Sequence, residues 1–395
     1  MEYTISEKMA GLKPSAIREM FKYAADPAVI SLAAGSPSSE ALPVEEIKRL
    51  TRELLEDNPY LALQYGLSEG YIPLRDYMKK FLAERYQSFD PSIDDLFIVS
   101  GAQQTIDLTC KVLCNEGDAV ICENPSFIGA LNAFRSYNTR LVGVDVESDG
   151  ISIEKLEDAL KANPNTRFIY LIPNFQNPTG ITMSLEKRKA CYALAQKYNT
   201  IILEDNPYGD LRFAGEPLPT IKSMDTDGRV IYAGTFSKIL SPGIRVGIAC
   251  APQGLMGRLV VAKQCTDVHS SMLSQMLAYY FITQCDMESH LANLRTVYAR
   301  KCSLMLSELD RSLGNMLELT RPQGGLFIWA TMPGMENTDE LATCLVRDHK
   351  VCVVPGSTFC AQMNTPTSSF RLNFSTPTDE QIVEGIGRLT QALKK

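Results

Sequence analysis

A chain of 395 residues that is 45% hydrophobic can bury a large core, and its length fits two domains or one large domain with a smaller satellite. Its formal net charge of −7, without any block of like charges, argues against a nucleic-acid partner or an anionic membrane surface, both of which need a basic face. The 11 cysteines are scattered with no C-x-x-C pair, and several (Cys110, Cys114, Cys122, Cys250, Cys352) fall in apolar stretches, so reduced thiols in a cytoplasmic protein without a metal centre are expected. No segment approaches the apolar length of a membrane span, and residues 1–7 show no apolar core flanked by positive charge, so neither insertion nor export is indicated.

Residues 1–45 read as an irregular arm rich in turn formers, with Gly35-Ser36-Pro37-Ser38-Ser39 at its centre. Pro73 then opens a helix that puts Leu74, Tyr77, Met78, Phe81 and Leu82 on one face. From about residue 95 to 250, apolar β-rich runs alternate with helical patterns. Leu96–Val99, Ala119–Cys122, Leu141–Val146, Phe168–Ile172, Ile201–Leu203, Val230–Ala233 and Val246–Ala249 read as strands buried on both faces. Between two of them the spacing predicts a helix over Ser184–Tyr198, with Ser184 as N-cap. The pattern is that of a large, doubly wound α/β domain around a mainly parallel seven-stranded sheet, whose ligand belongs at the carboxyl ends of the strands. After about residue 270 a helical region to Leu313, strands at Leu326–Thr331, Val351–Val354 and Phe370–Phe374, a helix from Thr338 and a capping-box helix from Thr378 with Gln381 imply a smaller α+β domain. The expected division is an arm over 1–45 that belongs to the small domain, a large domain over 46–275 and a small domain over 276–395.

The residues that can carry chemistry follow those strands. Ser100-Gly101-Ala102-Gln103 is a small-residue turn feeding a helix, either an ordinary strand-to-helix turn or a cradle of backbone N–H groups for a phosphate dianion. Phe127 is a core aromatic or a surface on which a planar ring can stack. In Pro173-Asn174-Phe175-Gln176-Asn177-Pro178-Thr179-Gly180, the asparagines either satisfy their own turn or offer amides to a phenolate oxygen. Glu204 and Asp205 end the next strand: a carboxylate there caps a turn or pairs with a protonated pyridine nitrogen, and Tyr208 can bond a ring hydroxyl. In Thr235-Phe236-Ser237-Lys238, a lysine at a strand end can condense with an aldehyde, while Ser237 and Arg245 suit a phosphate on the same molecule. Arg371 lies inside an apolar strand and needs an anionic partner, either a protein carboxylate or a ligand. Together these are the parts of a pyridoxal 5′-phosphate site.

In that order and spacing, Ser100–Gln104, Asn177-Pro178-Thr179-Gly180, Glu204–Tyr208, Ser237-Lys238 with Arg245, and Phe370-Arg371-Leu372 resemble the fold-type I pyridoxal-phosphate aminotransferases of class I/II over essentially the whole chain. Pro14–Glu19 followed by Ile30–Pro37 is similar to the subgroup of 2-aminoadipate and kynurenine aminotransferases. The resemblance implies Lys238 as the lysine that condenses with the cofactor and shuttles the proton, and Asp205 as partner of the ring nitrogen. It implies Asn177 and Tyr208 at the ring hydroxyl and Phe127 against the ring. Ser100, Gly101, Ala102, Gln103, Thr235, Ser237 and Arg245 would hold the phosphate, with Tyr65 reaching the phosphate of the neighbouring subunit in a homodimer with shared sites. Arg371, Asn177 and Gly35 would hold the substrate α-carboxylate. Two positions depart from the pattern: Phe127, where many relatives carry tyrosine, and Ala34-Gly35-Ser36, where relatives often carry two glycines.

The activity implied is transfer of an α-amino group between an amino acid (2-aminoadipate, aromatic or aliphatic) and a 2-oxo acid such as 2-oxoglutarate, in a ping-pong cycle. A β-lyase or decarboxylase would share the cofactor contacts. A transcription regulator built on this domain would need a DNA-binding segment, and this acidic chain begins directly with the arm. Arg18 is either a surface arginine paired with Glu19 or, by the resemblance, a reader of an ω-carboxylate on the substrate side chain.

Overall fold

The computed structural model describes residues 3–10 and 26–394. The chain is tied down early by β1 (Ile30–Ser31), which pairs in parallel with a strand more than 300 residues later, described below. It then builds a large sheet from β2 (Asp94–Val99), β3 (Ala119–Asn124), β4 (Arg140–Glu147), β5 (Gly150–Ile151), β6 (Thr166–Leu171), β7 (Ile201–Asp205), β8 (Val230–Thr235) and β9 (Gly247–Pro252), in the order β2-β9-β8-β7-β6-β3-β4-β5. The central pairs β3/β4, β3/β6, β6/β7 and β7/β8 are parallel, whereas β9 runs antiparallel to both of its neighbours. The seven expected strands are all present, and the eighth, β5, is a two-residue return that pairs antiparallel with β4.

The strands are apolar throughout because alternate side chains feed cores on opposite faces. Phe97 and Val99 face a layer with Ile106, Leu131 and Phe134 from the helices Ala102–Leu113 and Ile128–Arg135. Leu96 and Ile98 face Leu50, Leu74, Met276 and Phe281 from helices on the other side. The run Leu141–Val146 departs from this expectation. Only Val144 within it is buried, since β4 has just a two-residue strand beyond it and one of its faces meets solvent. The helix Leu185–Lys197 starts where expected, with Ser184 Oγ accepting from the Lys187 N–H.

The rest of the chain forms a second, antiparallel sheet of β10 (Glu318–Leu319), β11 (Phe327–Thr331), β13 (Val354–Pro355) and β14 (Ser369–Asn373), ordered β10-β11-β14-β13. Its core is shared with the helices Met287–Leu313 and Asp379–Leu393, the latter opened by the expected capping box of Thr378 and Gln381. The expected strand Val351–Val354 is instead two. β12 (Val351–Cys352) pairs with β1, and after Val353 the chain changes sheets to continue as β13 beside β14. Ala33, just after β1, and Arg371 on β14 are thereby brought within hydrogen-bonding distance.

Candidate active site

A cavity of about 440 Å³ opens at the carboxyl ends of the central strands, where the large sheet meets β11 and β14. Gly35, Ala102, Gln103, Phe127, Asn177, Asp205, Tyr208, Thr235, Ser237, Lys238, Arg245 and Arg371 all line it, so residues spread over most of the sequence converge on one space. Arg18 lies outside the described residues. Tyr65 is 81% exposed and sits edge-on to His269, away from the cavity of its own chain.

One end of the cavity is built for an anion. The helix Ala102–Leu113 begins at its wall, which aims first-turn N–H groups and a positive dipole end towards it. Across from that helix Arg245, in the left-handed region at φ 52°, donates from Nη1 to Ser237 Oγ (3.2 Å) and from Nη2 to the Ser100 carbonyl (2.9 Å). Gly101 has φ +79°, and a Cβ there would stand 2.3 Å from Arg245 Nη2, so only glycine lets guanidinium and turn approach this closely. Ser100 and Gly101 therefore shape this end without lining it, and the Ser100 hydroxyl is taken up by Asp267 (2.8 Å).

The other end is acidic and buried. Strand alternation separates the two carboxylates that end β7: Glu204 turns away and accepts from the Ile221 and Lys222 N–H groups (3.0 and 2.7 Å), while Asp205 meets the cavity. Asp205 Oδ2 accepts from Tyr170 Oη at 2.6 Å, and its Oδ1 is buried with no hydrogen-bond partner among the described residues. Burial pushes this carboxyl up to about 7, against the pull of Tyr170 and the Lys238 charge. Lys238 Nζ donates to the Gly35 carbonyl (2.6 Å); burial, then the guanidinium charges of Arg371 and Arg245, push its ammonium down to about 8.

Arg371 lies fully inside the protein. Its Nη1 donates to Asn177 Oδ1 (2.8 Å) and its Nη2 to the Ala33 carbonyl (2.7 Å), and the guanidinium is packed between the rings of Phe327 (4.1 Å to the centroid) and Phe359 (4.9 Å). Its Nε has no partner, and no carboxylate among the described residues pairs with it. A buried guanidinium without a counter-ion is costly, so of the two partners the sequence allows, a ligand carboxylate is the one the geometry favours.

Residues 27–389 match the sequence profile described as aminotransferase class I and II. The chain belongs to the class I and II aminotransferases. It is 39% identical to aromatic-amino-acid aminotransferase 1 of Thermococcus litoralis, covering 100% of this chain and 95% of that one, and 36% identical to 2-aminoadipate transaminase of Thermus thermophilus, covering 97% and 94%. Among solved structures, kynurenine aminotransferase of Pyrococcus horikoshii superposes with a TM-score of 0.94 at 36% identity, covering 99% of this chain and 96% of that one. This aminotransferase depends on pyridoxal 5′-phosphate.

The cavity fits that group on its own terms. It pairs an arginine- and hydroxyl-lined pole with an unpartnered buried carboxylate oxygen, as a molecule with a phosphate at one end and a protonated ring nitrogen at the other requires. Phe127 lines the wall between them; a Cβ on Gly129 would stand 2.4 Å from its ring, so Gly129 is what leaves room for that ring position. Ser36, Ile106, Ile172, Pro207, Pro242 and Phe327 of this aminotransferase also line the cavity, and Tyr170 stands behind Asp205, although the sequence marks none of them as site residues. The apolar ones carried no signal beyond hydrophobicity. Tyr170 was hidden inside a run whose only legible property was burial, and its role needs the β6/β7 register to be seen.

Proposed function

We propose that Lys238 is the residue that joins the cofactor and carries the proton. When bound, pyridoxal phosphate supplies an aldehyde that takes up the amino group and a ring that serves as an electron sink. Asp205 holds a proton at the ring nitrogen, Asn177 and Tyr208 bond the ring hydroxyl, and Phe127 covers the ring. Arg245, Ser237, Thr235, Ala102 and Gln103 hold the phosphate, in a pole shaped by the turn Ser100-Gly101. Lys238 Nζ, part neutral near physiological pH because its ammonium is pushed down to about 8, would accept the substrate α-proton and hold it for return at the carbon beyond the amino nitrogen. Arg371, with Asn177 and Gly35, binds the α-carboxylate and fixes which bond at the α-carbon faces Lys238.

The observation that carries this reading is Arg371: a buried guanidinium with a free Nε and no acidic partner among the described residues, opening into the cavity that holds Lys238 and Asp205. The amino donors are aromatic and aliphatic amino acids and 2-aminoadipate, with 2-oxoglutarate as acceptor. The relatives named above support the aromatic and 2-aminoadipate parts of that range, and Arg18 is the residue assigned to acidic side chains. Incubating the enzyme with a panel of amino acids and 2-oxoglutarate and measuring glutamate tests it; turnover confined to one chemical class of donor would overturn the range.

The same proposal includes a cytoplasmic homodimer. Tyr60, Leu63, Tyr65, Leu67 and Ile72 are all more than half exposed within one short stretch, a surface that a second copy would cover. No helix among the described residues is long and apolar enough to cross a membrane, and the cysteines are unpaired. The division into a small domain of 1–45 and 276–395 and a large domain of 46–275 draws support from the pairing of β1 with β12 and from the separate cores of the two sheets.

A further inference from the structure

Tyr170 is fully buried on β6 beside β7, its ring edge-on to Phe134 at 5.4 Å. Its hydroxyl bonds Asp205 Oδ2 at 2.6 Å, which leaves Oδ1 as the oxygen with no partner among the described residues. We infer that Tyr170 is a positioning residue for the cofactor: its phenol donates to one oxygen of Asp205, turns the other towards the ring nitrogen and steadies the carboxylate in its ionised form. The inference rests on the reading of Asp205 as the ring-nitrogen partner.

The titratable groups around Asp205 leave Tyr170 this task. Glu123 on β3 is buried and accepts from the Ile172 N–H (2.9 Å); burial pushes its carboxyl up to about 8, so it stays neutral and adds no competing charge near pH 7. Tyr208 is a buried phenol held well above its ordinary range, again chiefly by burial. Lys238 supports the Asp205 charge only while its own amine is protonated. Once that amine is neutral, as proton transfer requires, the Tyr170 hydroxyl is the remaining donor to the carboxylate. The Tyr170 phenol is pushed far above neutral pH by burial and by Asp205, so it always donates.

The test uses apoenzyme and pyridoxamine 5′-phosphate, which carries no aldehyde to condense with Lys238, so that affinity reports non-covalent contacts. Binding is followed by fluorescence between about pH 6 and 9 for the wild type, Tyr170→Phe and Asp205→Asn, with Tm measured in the same buffers. A hydrogen bond to a charged group corresponds to roughly a tenfold or greater change, so Tyr170→Phe should bind about tenfold more weakly near neutral pH. Without its donor Asp205 ionises at higher pH, so the deficit should be largest at the acid end and shrink as pH rises. Asp205→Asn should bind weakly across the range. Unchanged affinity in Tyr170→Phe alongside weakened Asp205→Asn overturns the role of Tyr170 and leaves that of Asp205 standing. A loss in Tyr170→Phe that is the same at every pH and tracks a lowered Tm would reduce Tyr170 to a packing residue. Unchanged affinity in Asp205→Asn removes the reading of Asp205 itself, and this inference with it.

Discussion

Asp205 and Lys238 are both held away from their usual charge states, in opposite senses and with opposite consequences. The folded chain keeps a proton on Asp205 up to about 7, against 3.8 for the free side chain. Between those values the native apoenzyme binds a proton that the unfolded chain has lost, so this group's contribution makes the apoenzyme less stable as pH rises through that window. Asp205→Asn removes the charge and retains an acceptor for Tyr170. At about pH 8 it should raise the Tm of the apoenzyme by a few degrees while weakening the cofactor, and calorimetry showing no gain would mean that the carboxylate is better solvated than its burial implies. Lys238 is pushed down, so once substrate has freed its amine the neutral form becomes available as pH climbs towards about 8, and kcat should climb with it. Lys238→Ala should retain the cofactor through the contacts at its two poles yet lose turnover by about a thousandfold or more. In the wild type, borohydride followed by peptide mapping should find the cofactor on Lys238 and on no other lysine.

At the scale of elements, the turn Ser100–Gly101 and the turn bearing Arg245, just before β9, are fitted to each other. Gly101→Ala would put a methyl group within 2.3 Å of Arg245 Nη2 and force a left-handed backbone on a residue with a side chain. The expected cost is about 1 kcal/mol in stability. Cofactor affinity should fall by a larger factor, roughly tenfold, because a displaced guanidinium loses a charge-assisted contact. Titration of the apoenzyme would read this directly; stability falling without any change in affinity would place Arg245 outside the phosphate site. How much could be read beforehand also divides by element. The buried strands were legible because runs such as Leu96–Val99 and Val230–Ala233 are apolar at every position, and the N-caps at Ser184 and Thr378 because their hydrogen bonds are local. What sequence hid was neighbourhood. Whether Leu141–Val146 has a neighbour on its outer side, whether the chain switches sheets at Val353, and which residue stands behind Asp205 all depend on pairings between segments far apart in the chain. The choice between Glu204 and Asp205 was a matter of which face of β7 points to the cavity; strand composition does not record it, and Asp205 was named only through the resemblance of Glu204–Tyr208 to the family motif.

For the molecule as a whole, Tyr65 is the test of assembly. It is exposed, remote from its own cavity, and lies in a stretch of uncovered apolar residues. If it serves the site of a second copy, Lys238→Ala and Tyr65→Ala chains are each impaired as homodimers, but a mixed dimer contains one site with both groups intact. Mixing the two after subunit exchange should restore activity, up to about a quarter of the wild-type level per dimer pool, given random pairing and two sites per dimer. No recovery despite proven exchange would confine each site to one chain.

The hydrogen bond from Arg371 to the Ala33 carbonyl joins residues 338 positions apart. Ribosomes add roughly 5–20 residues each second, so Ala33 emerges roughly 20 s to a minute before the arginine that will hold it. During that interval the large sheet, complete by Pro252, can already form with Asp205, Lys238 and Arg245 in place. If Asp205, Lys238 and Arg245 hold the cofactor and Arg371 the substrate as proposed, the order of synthesis puts the cofactor contacts on the chain before the residue that would grip an amino acid.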